Sequence, residues 1–550
     1  MGKMNYFKKK GDPYVLMTGL GLVVSLAMVV FIVVVILARG LGFFWPGNLL
    51  ELELKDGQKY LGEFRASGSA LVEDESGGEI SENQTQLKIG NRDLYGRDFI
   101  WIKNSDIVAQ SRPRYGTSFE RWEYGYFYGQ IQSVQIGEQK LEGEPERLFG
   151  KAKEAHRLAT KNRELRGEIE EKMTELMAPL TELQREISLL RLDLSTEPEK
   201  AAAKLKALES ESAELESKIA PEYEKLSGQL QSVIEENQQL YLSVLTAEGQ
   251  SHQLFLDKIV RFYQPNRMNV FQKSGLYLVK MWEFLAAAPR ESNTEGGVFP
   301  AIFGTVLMVL LMSIAVVPLG VMAALYLNEY AKQGTVIRLI RLSVNNLAGV
   351  PSIVFGIFGL GFFIYTIGGT LDQLLFSQKL PEPTFGTGGI FWASLTLALL
   401  TLPVVVVATE EGILAVPRAN KEGALALGAT RWQMVRKIVL PNAMPGILTG
   451  LILAISRGAG EVAPLMITGV VKLAPSMPLD ATFPFLHLDR KFMHLGFHIY
   501  DVGFQSPNVE AAKPMVYSTA LLLITIVVFL NLMAIYFRNR MKKRYKSSTF

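Results

Sequence analysis

Six stretches with almost no charge decide what this chain can fold into. Tyr14–Ala38, Val298–Leu325, Leu347–Ile367, Gly389–Thr409 and Met515–Phe537 contain no charged residue, and Ile447–Val471 contains only Arg457 and Glu461. About 20 apolar residues cross a hydrocarbon core. Backbone in lipid must satisfy its own N–H and C=O groups, so such a run crosses as a helix. The runs therefore predict a mainly α-helical integral membrane protein with six transmembrane helices. The first run is too long for a cleavable leader and ends in Arg39-Gly40, which predicts a retained anchor.

The chain is still 20% charged over 550 residues, too polar to be all membrane. Its net charge of +3 points to no nucleic-acid partner, and the absence of cysteine excludes disulfides and thiolate metal sites. The five histidines form no H-E-x-x-H pattern. His487, His494 and His498 share one polar segment and are expected to be solvated loop residues rather than metal ligands, so no metal site is expected. There is no G-x4-G-K-[ST] loop and no catalytic constellation. No catalytic residue or cofactor is assigned to this chain, and any energy for transport must come from another subunit.

Charge also orients the spans. Lys3, Lys8, Lys9 and Lys10 precede the first run. Lys332, Arg338 and Arg341 follow the second, and Arg418, Lys421, Arg431, Arg436 and Lys437 follow the fourth. Arg538, Arg540, Lys542, Lys543, Arg544 and Lys546 follow the sixth. The positive-inside rule places these groups and both termini in the cytoplasm, and residues 40–294 outside.

That outer region divides by pattern into 41–150, 151–250 and 251–294, between an anchor at 1–40 and the membrane domain at 295–550. Leu50–Tyr60 alternates around Asp56-Gly57, a hairpin signal, and Phe99–Val108 reads as further strand. Phe119–Tyr128 is rich in aromatics and suits a sheet edge or a surface near lipid headgroups. Leu165, Ile169, Met173, Leu176, Leu180, Leu183, Ile187, Leu190 and Leu194 recur at helical spacing, and Ser195–Glu199 interrupts them. The pattern resumes from Leu205 through Leu240 and Val244. This predicts an antiparallel coiled-coil hairpin, either a rigid spacer or a docking arm, with Pro179 and Pro221 kinking its arms. Leu254–Tyr263 echoes Ile100–Ala109 and is expected to return to the same β unit, with the coiled coil as an insertion. Phe271–Leu285 reads as an amphipathic helix in contact with membrane lipids.

Two places carry the functional expectations. In the inward loop 410–445, Glu422-Gly423-Ala424 is followed by three residues and Gly428, then by nine and Ile438-Val439-Leu440-Pro441. This reads as a short helix, a stop at Gly428, and a second short helix with Trp432, Val435 and Val439 on one side, ended by Pro441. In the fifth run, Arg457 and Glu461 share a helix face. They are either a pathway site, with Arg457 attracting an anion, or an ion pair that fixes packing. Ser352, after Gly349-Val350-Pro351, is either a donor toward the same path or part of close helix packing.

The loop spacing resembles the EAA loop of ABC importer permeases, with Gly423 in place of the middle alanine. Asn328-Glu329-Tyr330, Asn346–Gly356, Arg457-x3-Glu461-x2-Pro464-Leu465 and Asn531–Arg544 resemble the PstA-type permease of the phosphate-specific ABC importer, over about 271–550. The insertion resembles that of an extended form found in some Gram-negative bacteria. The resemblance implies a MetI-like permease fold in the bacterial inner membrane, with the insertion in the periplasm. It implies a PstC-type permease as heterodimer partner, a PstB-type ATPase dimer that carries ATP and Mg, and a periplasmic phosphate-binding protein. Glu422, Gly423, Ala424, Gly428, Ile438, Leu440 and Pro441 would form the coupling loop, and Arg457, Glu461 and Ser352 would line the phosphate path. Alternatives are a permease for molybdate, tungstate or sulfate, or a membrane scaffold or sensor acting through its coiled coil.

Overall fold

The computed structural model describes residues 12–73, 79–193, 198–377, 380, 382–481, 483–506 and 509–546. The lysines at positions 3, 8, 9 and 10 and most of the Ser195–Glu199 break lie outside them. The chain forms two compact units, residues 45–281 and residues 1–44 with 282–550.

The unit at 45–281 contains two sheets built to one plan. The first orders its strands β4-β3-β2-β1-β5: β1 Leu49–Leu54, β2 Lys59–Glu73, β3 Glu79–Lys88, β4 Phe99–Lys103 and β5 Ile107–Ser111. The second comprises β6 Thr117–Arg121, β7 Tyr126–Ile136, β8 Gln139–Glu142, β9 Leu240–Leu245, β10 Ser251–Phe255 and β11 Ile259–Tyr263. Its order is β10-β9-β7-β6-β11, with β8 paired to β7. In each sheet an antiparallel meander is followed by a 3₁₀ turn, Asn104–Asp106 or Leu256–Lys258, and a last strand that returns beside the first. The Asp-Gly turn forms as expected, with Gly57 at φ 83°, where a glycine is unstrained.

Several expectations change here. The echo between 100–109 and 254–263 marks equivalent positions in two successive sheets, not two strands of one. Each echoed segment is strand, 3₁₀ turn and strand rather than a single strand. The aromatic run at 119–128 is not a lipid-facing surface: Phe119, Phe127 and Tyr128 are fully buried. Leu240 and Val244 belong to β9, where Leu240, Leu242 and Val244 point into the core.

The helical hairpin enters between β8 and β9. Its helices, Pro145–Asp193 and Pro198–Gln238, run antiparallel, cross-linked by Glu186–Lys204 at 3.0 Å and Arg191–Glu209 at 2.7 Å. Pro179 and Pro221 sit inside them. The hairpin's base is part of the β core. Leu148, Ala152, Ala155 and Ala159 pack with Phe119, Phe127, Leu242, Val244 and Leu256. The helix Val270–Ala286 is tied to the second sheet by Lys280, whose ammonium lies 2.5 Å from Glu120 and donates to the Tyr263 hydroxyl at 2.9 Å. Phe271, Leu278, Val279 and Trp282 stay exposed on the same helix.

Among the described residues of the other unit, six helices are long and apolar enough to cross a membrane: Tyr14–Gly42, Phe299–Tyr330, Ser352–Leu375, Ile390–Leu414, Arg431–Gly460 and Ala512–Met541. Small residues set their packing. A Cβ on Gly446 would lie 2.6 Å from the Gly412 Cα, and one on Gly320 would lie 2.6 Å from Val405. Met308, Met312, Leu397, Leu400, Ala454 and Phe492 form the centre. The first span is mostly exposed, and Ser518 of the sixth donates to the Gly40 carbonyl at 2.9 Å.

The histidine expectation fails for two residues. His494 and His498 are buried on and beside the short helix Leu495–Tyr500, between the fifth and sixth spans. His494 Nδ1 accepts from the Gly496 N–H at 3.1 Å and caps that helix. Apolar helices pack over what reads in sequence as a polar segment. Burial pushes His494 down to about 3; burial, then nearby Lys472, pushes His498 down to about 4. Both therefore fold neutral and bind protons only on unfolding. Stability should fall as pH drops from about 6.5 toward 4, by up to ~1.4 kcal/mol per pH unit for each histidine. Thermal unfolding in detergent between pH 7 and pH 5 measures this slope, which a His498→Gln variant should flatten.

Candidate functional site

The charged loop after the fourth span is an elbow. A helix, Arg418–Ala426, ends at Leu427, and Gly428 turns the chain at φ 82°. Thr430 restarts it with a capping box: its hydroxyl accepts from the Gln433 N–H, and the Gln433 side chain accepts from the Thr430 N–H. The second helix does not stop at Pro441. It widens into a π turn over Val435–Val439, where the Leu440 N–H reaches the Val435 carbonyl, and continues through Pro441 to Gly460. Helical backbone thus runs unbroken from Arg431 to Gly460, and this span starts sixteen residues before Ile447.

Glu422, Gly423 and Gly428 are exposed, while Ala424, Ile438 and Leu440 pack against a core of Val406, Ile413, Met434, Val435 and Val439. Trp432 does not share the buried side of Val435 and Val439. It is 59% exposed and Leu427 is 90% exposed, so the elbow presents bare apolar side chains as well as Arg431, Arg436 and Lys437.

The elbow is fastened to the bundle by charges that sequence reasoning did not assemble. Lys421 lies 2.6 Å from Glu329, which sits at the end of the second span. Beside it, Asn328 donates to Glu410 at the end of the fourth span at 3.1 Å. Arg341, from the helix Thr335–Leu347, donates to Asn328 at 3.1 Å and lies 3.4 Å from Glu410. The available signal was the acids at the ends of two apolar runs, facing loops rich in cations.

Arg457 and Glu461 do meet, at 3.6 Å, with side chains 31% and 21% exposed. They are not on one continuous helix, however. Arg457 is in the last turn, where a cation suits the helix C-terminus. Glu461 is extended, at φ −76° and ψ 139°, and a short helix, Ala463–Thr468, follows. The fifth span is therefore broken at Glu461, where sequence gave a single run to Val471. Next to Arg457, Ser456 donates to Asn531 of the sixth span at 3.0 Å. Ser352 opens the third span after Pro351. One turn on, Gly356 is so close to Pro464 that a Cβ would lie 2.8 Å from its Cα. That contact brings the start of the third span to the break, although Ser352 itself bonds to neither Arg457 nor Glu461 among the described residues. Among those residues no metal-ligating cluster occurs either.

Residues 316–543 match the family model described as binding-protein-dependent transport system inner membrane component. The phosphate transport system permease protein PstA of Mycobacterium leprae is 34% identical over 275 residues, which are 49% of this chain and 81% of that protein. The probable ABC transporter permease protein YqgI of Bacillus subtilis is 31% identical over 45% of this chain and 80% of its own length. PstA 1 of Mycobacterium tuberculosis is 40% identical over 185 residues; the match spans about half of that relative, 54%, and 34% of this chain. The chain belongs to the family of binding-protein-dependent transport system inner membrane components, as a PstA-type ABC permease.

Proposed function

We propose that the chain is the permease half of an importer for phosphate, driven by a separate ATPase. The observation that carries this is mechanical. An exposed elbow leads without a break into the helix that carries Arg457 in its last turn and breaks at Glu461. A push on the elbow therefore reaches a partly exposed cation, Arg457, in the last turn before that break. The names of the relatives above support phosphate as the anion.

The partners in this reading are a PstC-type permease, a PstB-type ATPase dimer that holds ATP and Mg, and a phosphate-binding protein. The elbow faces the cytoplasm, both termini lie there, and residues 40–294 lie in the periplasm. The chain itself does no chemistry. Arg457 attracts the anion, Glu461 holds the arginine between passages, and Ser352 contributes from the start of the third span. Affinity purification of the tagged full chain from its native membrane is expected to bring down an ATPase in stoichiometric amount. A Leu427→Glu, Trp432→Glu variant should lose it. Purification without any ATPase would remove the importer reading.

A further inference from the structure

Where the base of the helical hairpin meets the second sheet, a cleft of 570 Å³ opens, continued by one of 420 Å³ that shares Asn237, Gln253, Phe255 and Lys258 with it. One wall is β10. His252, Gln253, Leu254 and Phe255 line the cleft consecutively. Side chains alternate across a strand, so four successive lining residues mean that the strand's edge borders the space. β10 is the end strand of its sheet, and β9 is its one paired neighbour among the described residues. An outer edge of this kind is a template for another strand. Its sequence, Ser-His-Gln-Leu-Phe, has none of the lysines or prolines that usually guard edges.

The opposite wall supplies polar recognition. Asn237, near the end of the second hairpin helix, is 4% exposed, and its side-chain oxygen accepts no hydrogen bond among the described residues. Such an oxygen needs an N–H or O–H donor. Buried Arg121 is neutralised by Asp93 at 2.8 Å, which also lies 3.5 Å from His252, and Arg166 is neutralised by Glu170 at 2.8 Å. Lys258 is exposed and has no ion pair among the described residues, and the carboxylates of Glu123 and Asp257 line the same cleft. Trp122, with the Arg163 guanidinium 3.9 Å over its ring, adds an aromatic floor.

We propose that this cleft binds an extended segment of another protein, which adds to β10 as a further strand. A main-chain N–H of that segment reaches Asn237, and an acidic side chain faces Lys258. Main-chain pairing supplies affinity, and the two side-chain contacts supply specificity. The site lies wholly within residues 45–281 and does not depend on the transport reading.

A phage-displayed random heptapeptide library, panned against the full chain in detergent, tests it. Peptides that share an acidic residue at one fixed position should be enriched, and a synthetic copy of the best should bind the wild-type chain. Binding should weaken about tenfold or more in Lys258→Glu, a surface change that leaves the fold intact, and also in Asn237→Leu. N-methylation of alternate peptide nitrogens should abolish binding, because an added strand needs those N–H groups. No enrichment over a detergent-only control would overturn the proposal. So would a peptide whose binding tolerates both N-methylation and Lys258→Glu.

Discussion

An Arg457→Ala variant is expected to take up phosphate on the order of 10- to 100-fold more slowly than the parent while its complex still hydrolyses ATP. The range follows from losing one charge-assisted hydrogen bond to the anion, about 1.5–3 kcal/mol, at about 1.4 kcal/mol per tenfold. The geometry gives a control. Arg457 also pairs with Glu461, so a purely structural pair would make either truncation equally harmful. A path residue gives a different result: Glu461→Gln releases Arg457 and keeps most of the uptake, whereas Arg457→Ala removes the attraction itself. Arg457→Lys should fall between them, since an ammonium keeps the charge but not the planar fork. Uptake of labelled phosphate into proteoliposomes, with ATP turnover measured on the same samples, checks all three.

The second large effect concerns the fastening of the elbow. Reversing one charge of the Lys421–Glu329 pair should separate ATP hydrolysis from uptake. The two side chains are 18% and 11% exposed, so removing one partner strands the other charge at a cost of about 3–5 kcal/mol. The first helix of the elbow would then lose its tie to the second span, and a push would reach the bundle through the fifth span alone. Lys421→Glu and Glu329→Lys should each lower phosphate moved per ATP hydrolysed by about tenfold. The double exchange restores the attraction and should restore most of the ratio. Because that ratio is internal to each sample, it separates uncoupling from poor folding, which lowers both activities together. If the double exchange is no better than either single one, the pair does not transmit force.

The parts of the fold that could be read in the sequence were those with one dominant force. Six runs with almost no charge could only be membrane helices, and Asp56-Gly57 could only turn. The boundaries were harder. Arg436 and Lys437 broke the apolar run, which hid the continuous helix from Arg431; the π turn before Pro441 left no mark in the residue pattern. Leu240 and Val244 are four residues apart, a spacing that puts two side chains on one face of either a helix or a strand. Periodicity could not choose between them, and the intervening Leu242 decides for β9. The charged stretch Asp489–Lys491 makes His494 and His498 look solvated, but apolar Phe492, Met493, Leu495, Phe497 and Ile499 flank them in sequence and packed helices surround them in space. At the site, the spacing of Glu422 to Pro441 located the elbow. The links from Lys421 to Glu329 and from Arg341 to Glu410 join residues 69 or more positions apart, and only the folded chain brings them together.

Labelling of a single cysteine at Arg431 tests most directly whether the elbow meets an ATPase inside the cell. The chain has no native cysteine, so Arg431→Cys supplies the one reactive thiol. A membrane-impermeant maleimide should modify it in inverted membrane vesicles, with protection once the ATPase is bound, and should not modify it in intact spheroplasts. Modification from the outside of intact spheroplasts would contradict the coupling of elbow to bundle.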